Sequence, residues 1–395
     1  MLYLLILAFI GTLTSQSAMD LFVTLYALTL LVQGLRKKGP AGWKLFEKMG
    51  LEYFWPVFVI TIILGFLVNG HYEGPLFKRM TELLWILSFY FTVSCYRYVD
   101  LDLKKAMKFS LIVGLLVSIG SIIVSAVKGE PRVGGILNNA MTTAHSYGLV
   151  FLTLAGVFLS RWQQMWKEDR KEFYLWVFSL AVMGATLILT MTRGVWVGMF
   201  VGLVVVAAVL SLRLASVVIG LGIAIVTGMF FLWPKFHDRI LLIFNYEHTY
   251  DSQRIILWKT NWMIFKDHPW LGAGYGENYT LLPKYYAMQG LPADQFVGHA
   301  HNQFLHMLAG TGIVGLLCYV FLYFFFVVKA WGVFKVAPPN SWEKAVSLGI
   351  FGSLIGFAVG GLTESNFEHA KVRMVVIFLW ALIFFMKQNL GLRKS

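Results

Sequence analysis

The amino-acid sequence predicts an all-α membrane protein of about twelve transmembrane helices, and three observations predict it. Of its 395 residues, 58% are hydrophobic and only 13% charged, where soluble chains average about 25% charged. Apolar runs of about 20 residues recur from one end to the other. They are continuous, so helices are expected and not the alternating strands of a barrel. The basic residues also fall unevenly between alternate connections, as the positive-inside rule requires of a multi-pass chain.

The apolar segments lie near 2–15, 20–34, 52–69, 82–96, 107–127, 144–160, 173–192, 194–212, 214–233, 303–328, 346–362 and 372–387. The first could pass for a signal peptide, with Ser15-Gln16-Ser17-Ala18 offering small residues. A basic n-region is missing and a second apolar run follows at once, so a retained first helix is expected. With both termini in the cytoplasm, the cytoplasmic connections hold 20 of the 33 Lys and Arg residues, the short outer connections seven and the long outer loop six. The reverse orientation would put Arg36-Lys37-Lys38 and Lys104-Lys105 outside. The net charge of +13 is thus largely topological, and no nucleic-acid partner is expected, since that needs a basic face with groove-reading or stacking elements. Cys95 and Cys318 sit within apolar runs and read as small buried hydrophobes. With no internal repeat or linker, residues 1–395 form one polytopic membrane domain in contact with membrane lipids.

One connection is not short. Residues 234–302 make a 69-residue loop between the ninth and tenth segments, too long for a passive connector. It carries a helix signal of its own. Asp251 is placed to act as N-cap, Ile255, Trp258, Trp262 and Phe265 follow at helical spacing, and Pro269 ends the run. Such an aromatic stripe suits a helix lying on the membrane surface or one packed on the bundle.

Charges at these boundaries are the candidate functional groups. Arg193 stands between two apolar runs at an expected outer turn, either as a headgroup anchor or as an anion-binding cation facing a cavity. In the first turn of the loop helix, Arg254 would oppose the helix dipole; a bound anion, or a salt bridge to Asp251, would relieve that conflict. Arg132 precedes Gly134-Gly135, where the backbone can approach a ligand closely. Asp100-Leu101-Asp102 resembles a metal-holding carboxylate pair, but the topology puts it in the cytoplasm, where it reads as a helix start.

The densest cluster is Gly298-His299-Ala300-His301-Asn302-Gln303-Phe304-Leu305-His306, where the long loop meets the tenth apolar run. Asn302 is a good N-cap, which places His301 just outside the positive end of a helix. That position favours a neutral imidazole, able to accept a proton as general base. His-x-His is also a zinc-ligand pairing, but no neighbouring cysteine or carboxylate completes a set, so no metal is expected. His306, inside the helix, is expected to be structural.

Together these residues resemble the O-antigen ligase family and its superfamily of membrane oligosaccharide polymerases. The motif is His301-Asn302, nine residues, Gly312, two residues, Gly315, preceded by His299 and by Pro269-Trp270-Leu271-Gly272-Ala273-Gly274. Arg193 in Leu189-Thr190-Met191-Thr192-Arg193 and Arg254 at the opening of the loop helix also fit. The resemblance implies a membrane glycosyltransferase (GT-C-like) architecture with helices in a large periplasmic loop. It further implies a metal-independent, inverting transferase without a cofactor, in the bacterial inner membrane with its active site facing the periplasm. The donor implied is a polysaccharide on undecaprenyl diphosphate, and the acceptor a sugar hydroxyl of lipid A–core oligosaccharide. Arg193, Arg254 and Arg132 would bind the diphosphate, His301 would be the base, and His299 and Asn302 would lie behind it or on the acceptor side. A polymerase or protein O-oligosaccharyltransferase of the same superfamily shares this chemistry. A transporter is the alternative of another class, and would show inverted repeats and broken helices near mid-membrane.

Overall fold

A computed structural model describes residues 1–35, 50–51, 54–69, 83–137, 139–241, 249–292 and 298–391. Arg36, Lys37, Lys38, Lys44, Lys48, Arg393 and Lys394 lie outside these residues, as does Asn138. Among the described residues there are fifteen α-helices and no strand. They are α1 (Leu2–Thr14), α2 (Gln16–Leu35), α3 (Phe54–Asn69), α4 (Trp85–Arg97), α5 (Leu103–Val127), α6 (Ala140–Glu168), α7 (Arg170–Leu189) and α8 (Arg193–Leu210). There follow α9 (Leu212–Leu232), α10 (Pro234–Leu241), α11 (Thr249–Asp267), α12 (Leu282–Met288), α13 (Gln303–Val336), α14 (Trp342–Gly360) and α15 (Ala370–Asn389).

Eight of these, α2, α5 to α9, α13 and α14, are long and apolar enough to cross a membrane, and α1, α3 and α4 are shorter apolar helices. α15 has 20 residues with Lys371 and Arg373 near one end and Lys387 near the other. These elements coincide with the apolar runs of the sequence, so the chain is an all-helical multi-pass membrane protein. Several start where a polar side chain caps free amides. Asp102 accepts from the Lys105 amide at 3.1 Å, Asn139 from Met141 and Thr142 at 2.9 and 3.0 Å, and Asp169 from Lys171 and Glu172 at 2.9 and 3.1 Å.

The connections sort into two ends. At one, Val133 N–H bonds the Leu189 carbonyl at 3.0 Å, Asn69 Nδ2 the Gly272 carbonyl at 2.8 Å, and Gln303 N–H the Gly361 carbonyl at 2.7 Å. At the other, Lys104 meets Glu172 at 3.6 Å, and the Arg161 guanidinium donates to the Asn340 carbonyl. Between the ends, α6, α8 and α14 pack through glycine. A Cβ on Gly156 would stand 2.5 Å from Gly349 Cα, and one on Gly198 2.3 Å from the Gly356 carbonyl oxygen. Small residues are what lets helices approach closely where lipid supplies no hydrophobic drive between them.

α13 is broken. Gly312 has φ 65° and ψ −169° inside it, and Pro269–Gly274 runs into the gap. Ala273 and Gly274 amides bond the Ala309 and Gly310 carbonyls at 2.9 and 3.0 Å, and the Ile313 amide bonds the Pro269 carbonyl at 2.9 Å. The groups that the break frees are therefore satisfied by a second segment of backbone, as they must be at membrane depth. Two distant pieces of the sequence motif are thus one structural unit. A broken helix was expected only of a transporter; here loop backbone fills the break.

α11 settles the orientation of the aromatic stripe. Leu257, Thr260, Asn261 and Ile264 are buried, with Leu257 and Ile264 packed with Leu282, Tyr285, Tyr286 and Ala309. Ile255 and Trp262 lie on the exposed face. α11 begins at Thr249, so Asp251 lies within its first turn and is not the N-cap. Arg254 falls in the second turn, where the expected opposition to the helix dipole has faded.

The docking of loop into helix generates a prediction. A Cβ at Gly312 would lie 2.3 Å from Trp270 backbone atoms, at a positive φ. Gly312→Ala should therefore destabilise the detergent-solubilised protein by about 2–4 kcal/mol, seen as a lower melting temperature. Gly332, in the same helix with nothing within 4 Å, is the control: Gly332→Ala should leave the melting temperature unchanged or raise it slightly.

Candidate functional site

The site is built around Glu364, in the connection between α14 and α15. This carboxylate is 2% exposed. His301 Nδ1 lies 3.0 Å from both of its oxygens, His299 Nδ1 3.5 Å from Oε1 and Arg254 Nη2 3.9 Å from Oε2. Burial pushes the Glu364 carboxyl up, but the hydrogen bond from His301 and the charges of the surrounding imidazoles outweigh it and hold it at about 2. Ionised, Glu364 can only accept, so His301 carries its proton on Nδ1 and Nε2 is the basic nitrogen. Burial pushes His299 down to about 4 against the pull of Glu364, which leaves that imidazole neutral.

Local bonding fixes this geometry. Asn302 accepts from the Leu305 amide at 2.9 Å, the expected N-cap of α13, and its own amide group donates to the Leu362 carbonyl at 3.0 Å. Gln303 Oε1 accepts from the Phe367 amide at 2.9 Å. Asn302 and Gln303 thus bind the Glu364 connection to the start of α13. His301 itself has φ 47°, a left-handed conformation that costs a non-glycine residue about 1–3 kcal/mol and persists only where its surroundings enforce it.

Four guanidiniums meet beside the same carboxylate. Arg132, Arg193, Arg239 and Arg254 line one small cavity with Thr363 and Glu364. Arg193 is the first residue of α8, and its N-cap Thr192 makes no side-chain capping bond, so amide donors of the helix start accompany the guanidinium, an arrangement suited to an anion. Arg132 fastens that turn by donating from Nε to the Thr190 carbonyl at 2.8 Å and from Nη2 to Thr192 Oγ1 at 3.0 Å. Met191 in the turn has φ 52°, a second strained residue next to a candidate functional group.

His306 is structural, as expected. Its Nδ1 accepts from Asn278 Nδ2 at 3.0 Å, its ring stacks on Tyr279 and its Nε2 lies 3.7 Å from Glu368 Oε2. Asp100-Leu101-Asp102 sits at the opposite end of the bundle, with Asp102 capping α5.

Two residues escaped the sequence reading. Arg239 ends the charged run Lys235-Phe236-His237-Asp238-Arg239 of the long loop, with no spacing to flag it. Glu364 lay in the connection between the last two segments, and its signal was a carboxylate at an apolar boundary. Its presence beside the two histidines removes the argument made from the sequence against metal. His299, His301 and Glu364 place three ligand atoms within 4.8 Å of one another, so the fold supplies the carboxylate that the neighbouring sequence lacks. Charge opposes a cation there, since Arg254 competes for the same carboxylate and three more guanidiniums stand close by.

Known proteins can now be compared. Residues 178–320 match the family model described as O-antigen ligase. The matched segment runs from within α7 to the middle of α13. A curated O-antigen ligase of Pseudomonas aeruginosa is 28% identical over 233 residues, which covers 59% of this chain and 50% of that protein. The chain thus spans about half the length of the relative it matches. The matched region includes Arg193, Arg239, Arg254, His299, His301, Asn302 and Gly312, while Arg132 and Glu364 lie beyond its two edges.

The buried histidine and carboxylate set a pH dependence. His299, at about 4 against an ordinary 6.5, is harder to protonate in the folded chain, so the unfolded chain binds more protons between these values and stability falls as pH falls through them. Glu364, at about 2 against 4.5, contributes stability above pH 4.5 that is lost on further acidification. Melting temperatures measured from pH 8 downward should therefore begin to drop below about 6.5. His299→Asn should flatten the upper part of that decline; an unchanged profile would show that His299 is not held neutral.

Proposed function

We propose that this protein transfers a polysaccharide from undecaprenyl diphosphate to a sugar hydroxyl of lipid A–core oligosaccharide, completing lipopolysaccharide at the periplasmic face of the bacterial inner membrane. One observation carries the reading: a single buried carboxylate orients His301 and also borders the cavity where four arginines meet. The acceptor hydroxyl gives its proton to His301 Nε2 as its oxygen bonds to the donor's anomeric carbon. The bond from that carbon to the phosphate oxygen breaks, and the electron pair leaves on undecaprenyl diphosphate. Negative charge grows on the diphosphate, and Arg193, Arg254, Arg132 and Arg239 are fixed cations aimed at the place where it grows.

Direct displacement by the acceptor inverts the anomeric centre. It suits a site in which the carboxylate is occupied in orienting a base. The cations would do the work of a Lewis acid, so the proposed reaction needs no metal. His299, neutral and beside His301, is a candidate contact for the acceptor sugar. Positive-inside counting places both termini in the cytoplasm and this cluster outside, where a lipid-linked donor can reach it sideways from the membrane.

In a deletion strain, loss of a ligase leaves bare core with polymer accumulating on undecaprenyl diphosphate. Loss of a polymerase leaves core carrying a single repeat, and full-length capped lipopolysaccharide would refute both readings. With the purified enzyme, His301→Ala and Arg254→Ala should abolish transfer while the protein inserts normally. Glu364→Gln should lower turnover by about 10²- to 10⁴-fold, the range of general-base catalysis. A chelator should leave the rate unchanged; a loss restored by zinc would assign His299, His301 and Glu364 to a metal instead.

A further inference from the structure

A large, mostly apolar cavity lies far from this site, at the other end of the bundle. It has a volume of about 530 Å³ and is walled by Leu5, Phe9, Val150, Leu154, Phe378 and Leu382, from α1, α6 and α15. Asp100, Asp102 and Lys105 also line it, from the connection of α4 to α5 and the first turn of α5. These three belong to the surface: Asp100 is exposed, and the side chains of Asp102 and Lys105 are 50% and 85% exposed, 3.7 Å apart. An apolar slot within membrane depth, closed off by charges at the level of the headgroups, has the shape of a site for an amphiphile with one acyl chain inside and its head at the rim. Among the charged side chains that line it, two carboxylates stand against one ammonium, which disfavours a head carrying only negative charge. A zwitterionic head satisfies both signs, its phosphate on Lys105 and its ammonium between Asp100 and Asp102.

We propose that this cavity is a binding site for a phospholipid with an ethanolamine head, drawn from the leaflet opposite the transfer site. The proposal stands apart from the assignment of the reaction, since it shares no residue with the Glu364 cluster. It also gives the Asp100-Leu101-Asp102 pair a use beyond starting a helix. The acyl chain covers the apolar walls that α1 leaves open, so the lipid is a structural ligand of the first helix.

Native mass spectrometry of the full-length protein in detergent tests it, with an equimolar mixture of dioleoyl-phosphatidylethanolamine and dioleoyl-phosphatidylglycerol. Ethanolamine adducts should exceed glycerol adducts about five-fold, the effect of about one favourable charge contact at a membrane surface. Asp100→Lys, at an exposed position where folding is not at stake, should reverse the preference. Ile6→Trp, which fills the cavity from α1, should lose the retained adduct. Equal adducts on the unaltered protein, an unchanged ratio in Asp100→Lys, full retention in Ile6→Trp, or displacement of the phospholipid by a polyprenyl monophosphate would each overturn the proposal.

Discussion

The hydrogen bond between His301 and Glu364 is the interaction on which the site depends. A carboxylate 2% exposed is costly unless its charge is met, and here an imidazole and a guanidinium meet it from two different elements. The imidazole comes from the residue before α13 and the guanidinium from α11 in the long loop. The carboxylate itself comes from the connection between α14 and α15. Desolvation therefore presses these segments to keep their positions, because withdrawing any one of them leaves a buried charge under-compensated. The same pressure fixes the tautomer of His301 and enforces its left-handed backbone.

The second constraint is backbone satisfaction. α13 must carry His301 at its start and still continue across the membrane, yet it is broken at Gly312. Pro269–Gly274 closes the break with its own amides and carbonyls, and by doing so locks the long loop to the helix that follows His301. Gly272 and Gly312 face each other's segment so closely that neither admits a Cβ. The spacing from His301 to Gly312 is thus a distance between a chemical group and the brace that holds it.

Much of this was legible in the sequence, and the boundary of legibility has a physical reason. The helices were legible because apolar length and basic asymmetry are local properties, and the capping role of Asn302 because capping acts within three residues. Arg193, Arg254 and Arg132 stood out as charges at apolar boundaries, and the fold brings all three to one cavity. The cap of α11 was misplaced because helix ends are weakly specified by single residues. Glu364 was missed because its meaning is entirely non-local: 63 residues separate it from His301, and only the packing of α14 against its neighbours closes that distance. The metal argument failed for the same reason, since it searched for a third ligand among sequence neighbours.

The arrangement also divides labour between two kinds of charge. Fixed guanidiniums suit the diphosphate, because Arg stays protonated at any physiological pH and its fork meets phosphate oxygens in pairs. A titratable imidazole suits the acceptor, because the proton must be taken up and given back in each cycle. A base set beside four cations would be poor at accepting a proton, since each positive charge nearby opposes the imidazolium. Glu364 stands between the two functions, bonded to His301 Nδ1 and bordering the arginine-lined cavity. In the proposed reaction this shared carboxylate is what joins the anion-binding arginines to the base within one small site.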